Sequence, residues 1–198
     1  MVTDYHCRWE NHAFGISVTR IMGDNEAKIY ERVPRNASPM FNFGAKEFQT
    51  IFDDDLVQPK RVFPSGFQSP AGRDLPEGLE NAIAVQVLFS PTSGTEMAGQ
   101  AGENPVADAA AEKPLSGAGG VWDLLVPRLA SVVAYANKFA NEYDDVSRSQ
   151  DIILVHAANA IAAFEISAFR ADSSPFDRYV CGYKESMSSS AKEVMDLF

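Results

Sequence analysis

His6, Cys7 and His12 place three side chains of metal-ligand type within one short N-terminal stretch. A structural zinc site takes four protein ligands and a catalytic one takes three. This stretch lacks a recognisable ligand spacing and has Trp9 and Glu10 in its middle. It reads as the entry to a strand, and no metal site is expected. Asp53, Asp54 and Asp55 are three adjacent carboxylates between Phe52 and Leu56. Hard cations such as calcium and magnesium are held by oxygens, but from positions spaced along a loop so that they converge. Adjacent residues do not converge easily, so the triplet reads as a solvated acidic turn whose one function would be to dock a partner. Ser116 to Gly120 precedes a helical pattern and could offer backbone N–H groups to a phosphate. It lacks the Lys of a Walker A loop and the G-x-G-x-x-G spacing after a strand, so it reads as flexible chain.

The remaining polar groups sit within an apolar stretch, Asp151 to Arg170, DIILVHAANAIAAFEISAFR. It has no Pro or Gly and much Ala, which favours helix. At about 100° per residue, His156, Asn159, Ser167 and Arg170 share a narrow sector, and Glu165 falls opposite them. Ile, Leu, Val, Phe and Ala fill the rest, so the helix is expected to be central, with neighbours on most sides. A carboxylate buried there without a partner is costly or has its pKa raised. Glu165 is therefore either paired with a cation such as Arg128, Lys138 or Arg178, exposed at the helix edge, or a general acid or base in a cleft. His156 and Asn159 form a second polar pair one turn apart. Glu165, His156 and Asn159 are the candidate catalytic residues.

The elements that must position these groups are unevenly legible. Phe14, Ile16 and Val18 alternate with small polar residues. After Gly23-Asp24-Asn25, Ala27, Ile29 and Val33 alternate again, which predicts an N-terminal β-hairpin. Residues 34–75 hold five Pro and six Phe; that predicts irregular chain pinned by its rings, with one short helix near 45–52. Residues 82–89, AIAVQVLF, are rich in β-branched residues and followed by Ser90-Pro91, so a buried strand is predicted. Residues 93–119 are small, polar and rich in Gly, Ala and Pro, the composition of a linker. From Trp122 to Tyr143 apolar residues recur at i, i+3/i+4, i+7, an amphipathic helix that Pro127 should kink or delimit. Ser147 with Gln150 predicts a capping box for the central helix, and Ser190 with Glu193 another for a short terminal helix. Asp172-Ser173-Ser174-Pro175 should stop the central helix.

The expected fold is α+β: an N-terminal antiparallel sheet with an irregular Phe-rich segment, then a helical hairpin plus a short terminal helix packed on the sheet. The expected division is a β-rich part over 1–92, a linker over 93–119 and a helical part over 120–198, the outer two forming one compact unit.

Of 198 residues, 27 are acidic and 17 basic, giving a net charge of −10. Phosphate neutralisation needs clustered Lys and Arg, so direct nucleic-acid binding is not expected, and an anionic membrane surface is disfavoured for the same reason. His156, Asn159 and Glu165 interrupt the one apolar run long enough to cross a membrane. The N-terminal residues lack the apolar core of a signal peptide. With only Cys7 and Cys181, a reducing compartment, the cytoplasm or a virion interior, is the expected setting. No cofactor motif is present and no cofactor is expected. The missing catalytic motifs, the acidity and the aromatic-rich irregular segment favour a non-enzymatic interaction or assembly subunit of viral or phage type, binding a basic protein partner or itself. One alternative is a small-molecule enzyme or ligand binder using a cleft beside helix 151–170. Another is a nucleic-acid-mimicking inhibitor that presents Asp53 to Asp55 to a basic protein.

Overall fold

The computed structural model describes residues 40–45, 48–51, 56–112 and 115–197. The predicted hairpin over 13–33, the His6/Cys7/His12 stretch and Asp53 to Asp55 lie outside them. Within them the fold is α+β and mostly helical, with a two-stranded antiparallel sheet and seven helices.

The sheet is small. β1 (Gln58–Pro59) pairs with β2 (Phe67–Gln68) in the register Gln58↔Gln68, Pro59↔Phe67, and a bridge between Ile51 and Val57 adjoins it. A hairpin of this size is marginal alone and offers no face for helices to lie on. The expectation of helices packed on a sheet therefore gives way, among the described residues, to helix-on-helix packing. The short helix expected near 45–52 is also absent where the chain is described. Residues 48–50 are irregular and Ile51 is held by the bridge to Val57.

The stretch predicted as a buried strand is instead α1 (Ala82–Val87). Asn81 caps it, its side-chain oxygen accepting from the Ala84 N–H at 3.0 Å, which supplies a partner for one of the orphan donors of a helix start. Because Ala82, Ile83, Ala84 and Val85 are all buried, the residues show no polar side, and periodicity alone could not separate helix from strand.

The segment read as a linker carries α2 (Pro105–Glu112). Asn104 accepts from the N–H groups of Val106 and Ala107 at 2.9 and 3.1 Å, and Pro105 takes the first helical position, where a missing N–H costs nothing. Val106, Ala107 and Ala109 are buried, and α2 packs on α3 (Val121–Ala130). The small side chains that resemble a linker in composition let the two helices approach.

α3 begins ahead of Pro127, which lies inside it, and the amphipathic run breaks at Ser131–Val132 before α4 (Val133–Glu142). Trp122 reaches across from α3 to donate its indole N–H to the Leu88 carbonyl at 2.9 Å. The central stretch is α5 (Leu154–Ala168). Its start differs from the expected Ser147/Gln150 box. Asp151 instead accepts from the N–H groups of Ser147 and Arg148, closing the turn that leads into the helix.

After α5 the chain does stop at 170–173, but Ser174 and Asp177 then cap α6 (Pro175–Val180) reciprocally. Ser188, two residues before the predicted cap, opens α7 (Ser189–Met195).

One core gathers Ile51, Leu79, Ile83, Val85, Leu88, Val106, Trp122, Val155, Ala158 and Ala162. α1 lies against α5, and α3 touches α5 as well. Residues 41–45 secure the far end of α5. Asn42, at φ 58°, donates its N–H to the Phe169 carbonyl and accepts from the Ala171 N–H. Asn tolerates this left-handed conformation better than most residues. Gly44 passes so close that an added Cβ would sit 2.5 Å from Ile166 Cγ2.

Candidate functional site

α5 buries one stripe, Val155, His156, Ala158, Asn159 and Ala162, at helical spacing. It is not covered all round. Ile161 is 44% exposed and Phe164 65%, so the expectation of near-complete cover fails on that side. The packing of α1 and α3 on one face alone decides which of its polar groups are enclosed.

His156 is enclosed. It sits at the first turn of α5, where its Nδ1 accepts from the Ile153 N–H at 3.2 Å. That is one half of a capping box, with imidazole in place of the usual Glu or Gln. Its Nε2 faces Asp145 Oδ2, also at 3.2 Å. With Nδ1 accepting, the neutral ring carries its proton on Nε2 and donates it to Asp145. The Tyr143 ring lies over the imidazole with centroids 4.6 Å apart, and its hydroxyl donates to the His156 carbonyl at 3.0 Å. Burial first, then the nearby carboxylates of Glu80, Asp145 and Glu142, holds the Tyr143 hydroxyl above the ordinary phenol range. The phenol therefore remains a donor. The Tyr143–Asp145–His156 group ties the α4–α5 turn to the start of α5.

Asn159, one turn on, is equally occupied. Its Oδ1 accepts from the Glu80 N–H at 3.2 Å and its Nδ2 donates to the Gly78 carbonyl at 3.0 Å. The side chain thereby clamps the loop that precedes α1.

Glu165 lies nine residues beyond His156, about 13 Å along the axis and on the opposite side at 1.5 Å and about 100° per residue. The three candidate catalytic residues therefore do not converge. Glu165 makes no ion pair among the described residues and is partly exposed, so of its expected settings the helix edge is the one observed. Partial burial raises its carboxyl above the usual range.

Sequence reading missed Tyr143 and Asp145. Their spacing from His156, thirteen and eleven residues respectively across a turn, carries no periodic signal, and only the fold brings them together. A separate cleft of about 240 Å³ lies beside α5, lined by Phe43, Phe48, Pro59, Phe67, Glu80, Asn81, Ile83 and Ile166 among others. Among the described residues no group of three or more His, Cys, Asp or Glu side chains is arranged to hold a metal ion. No described helix is long and apolar enough to cross a membrane.

Residues 7–185 match a family model described as di-haem cytochrome c peroxidase. No curated protein and no solved structure matches the chain. The family match overturns the expectation of a non-enzymatic, viral-type assembly subunit and points instead to a haem-binding oxidoreductase family. Haem iron is held by an axial His, Cys, Met or Tyr, and c-type haem is attached through C-x-x-C-H. Cys7 is followed by Arg8-Trp9-Glu10-Asn11, and Cys181 by Gly182-Tyr183-Lys184-Glu185, so neither begins that motif. His156 is the one described imidazole, and both of its nitrogens are engaged. The described residues therefore do not fit a pair of attached haems. The match nonetheless spans about nine-tenths of the sequence, and on that ground the chain belongs to the di-haem cytochrome c peroxidase family.

Proposed function

We propose that the chain is an oxidoreductase of the peroxidase type. In the net reaction hydrogen peroxide takes up two electrons and two protons, its O–O bond breaks, and two waters form. The electrons come from a reduced c-type cytochrome, the partner that the family description implies. The observation that supports this reading is the family match over residues 7–185. The earlier alternative of a small-molecule enzyme agrees with it, since hydrogen peroxide is a small-molecule substrate.

The net charge of −10 suits a basic electron donor. Glu142, Asp144 and Asp145 are exposed together at the α4–α5 turn, backed by Tyr143. Such a surface acts chiefly on the rate of encounter and is screened by salt.

The test is peroxide-dependent oxidation of reduced cytochrome c by the full chain with haemin supplied, followed by loss of the reduced-cytochrome absorbance. Turnover above a free-haemin control, falling as salt rises, is expected. A rate equal to that of haemin alone, at every salt concentration, would sink the proposal.

A further inference from the structure

Family membership and the ligand chemistry of this chain disagree. Attachment of a c-type haem adds two cysteine thiols across the two vinyl groups. Each S–H proton goes to a vinyl carbon as the C–S bond forms, and an adjacent His ligates the iron. The motif C-x-x-C-H puts these groups on one turn. Counting from Cys7, the places of the second Cys and the His are taken by Glu10 and Asn11, and from Cys181 by Lys184 and Glu185. The two cysteines lie at opposite ends of the sequence, and each lacks the neighbour that attachment needs.

Geometry removes the described imidazole as well. An iron ligand must offer a nitrogen lone pair. The Nδ1 lone pair of His156 receives the Ile153 N–H, and Nε2 carries the proton given to Asp145. The side chain is 7% exposed, and the Tyr143 ring covers one face. Ligation would strip the start of α5 of its acceptor or turn the ring away from Asp145. Among the described residues the cleft beside α5 offers no His, Cys, Met or Tyr in its wall, and at about 240 Å³ it is smaller than the roughly 300–1,000 Å³ of ordinary ligand pockets.

We infer that this chain carries no covalently attached haem, and that His156 is a structural fastening of the α4–α5 turn and not an iron ligand. The inference goes beyond the proposed peroxidase reaction and stands or falls separately from it.

Two measurements test it. The full chain is produced in cells with an active cytochrome c maturation system, and its intact mass is taken after denaturation. The expected result is the mass of the bare polypeptide; a haem adduct overturns the inference while leaving the peroxidase reading in place. Haemin is then titrated into wild type, His156→Gln and Asp145→Asn, followed by absorbance in the Soret region. Either no haemin binding, or a dissociation constant in both variants within about twofold of wild type, supports the inference. Loss of a metal ligand's outer partner typically costs about 10–100-fold in affinity. A loss of that size in Asp145→Asn, whose side chain is 73% exposed and whose replacement should leave folding intact, overturns it even if His156→Gln does not fold. A bare polypeptide that also fails the cytochrome assay refutes the proposed function and leaves this inference standing.

Discussion

Replacing Asn159 with Ala removes two hydrogen bonds that join α5 to the loop before α1. The lost contacts are Oδ1 with the Glu80 N–H and Nδ2 with the Gly78 carbonyl. A typical net hydrogen bond contributes about 1 kcal/mol, and an unpaired buried partner costs about 1–3 kcal/mol. Gly78 and Glu80 lie toward the surface, so water can repair part of the loss. The expected destabilisation is about 2–3 kcal/mol, which for a chain of this length lowers the thermal midpoint by roughly 4–12 °C. Urea and thermal unfolding measure it, and amide exchange at Glu80 should accelerate before global unfolding begins. Asn159→Asp keeps the acceptor for Glu80 but turns an oxygen toward the Gly78 carbonyl. Its penalty should be larger at neutral pH and shrink as acid protonates the new carboxyl, which can then donate. A change below about 0.5 kcal/mol in Asn159→Ala, the range of ordinary surface substitutions, would refute the clamp. Unchanged stability with lost peroxide turnover would assign Asn159 to the chemistry instead.

Trp122→Phe should cost about 1–3 kcal/mol, because it leaves the Leu88 carbonyl without its indole donor inside the core; equilibrium unfolding in urea reads this directly. Gly120→Ala should destabilise or fail to fold, since the new Cβ would meet backbone atoms of Leu115 and Ser116 at 2.8–2.9 Å. A variant as stable as wild type would show that this approach is not maintained in solution. Glu165 has a folded-state pKa raised by burial, so the native state holds its proton more tightly than the unfolded chain does. Stability should therefore decline as pH rises from the unfolded-state pKa through the raised folded-state value. Glu165→Gln should flatten that decline, matching wild type in acid and exceeding it at neutral pH; parallel pH–stability curves would contradict the assignment.

Local chemistry alone carried several elements. The central helix was legible from Asp151–Arg170, because a run without Pro or Gly and rich in Ala has no good alternative. A helix near the C-terminus was legible for its Ser-rich start, although Ser188 and not Ser190 is the cap. The amphipathic run after Trp122 showed its wet and dry sides by spacing, though not its break at Ser131–Val132. Where local signals were weak or contested, the sequence misled. In AIAVQVLF the residues Ala82 to Val85 and Leu88 are buried and the rest half-buried, and a segment so nearly apolar has no readable period, so Asn81 and its neighbours decided for helix. The composition of 93–119 concealed Asn104-Pro105, a cap followed by a first-turn proline.

The polar residues divide in the same way. His156, Asn159 and Glu165 could be picked out because a polar group in an apolar helix must be either satisfied or functional, and that much is a property of the sequence. Which of the two each became depended on partners 11 to 81 residues away, Asp145, Tyr143, Gly78 and Glu80. Residue types and their order set the local propensities and the missing haem-attachment motif. The Nδ1 bond from Ile153 is local to the helix start, but only tertiary structure could engage the second nitrogen of His156, because Asp145 reaches Nε2 only once the α4–α5 turn has folded back onto α5.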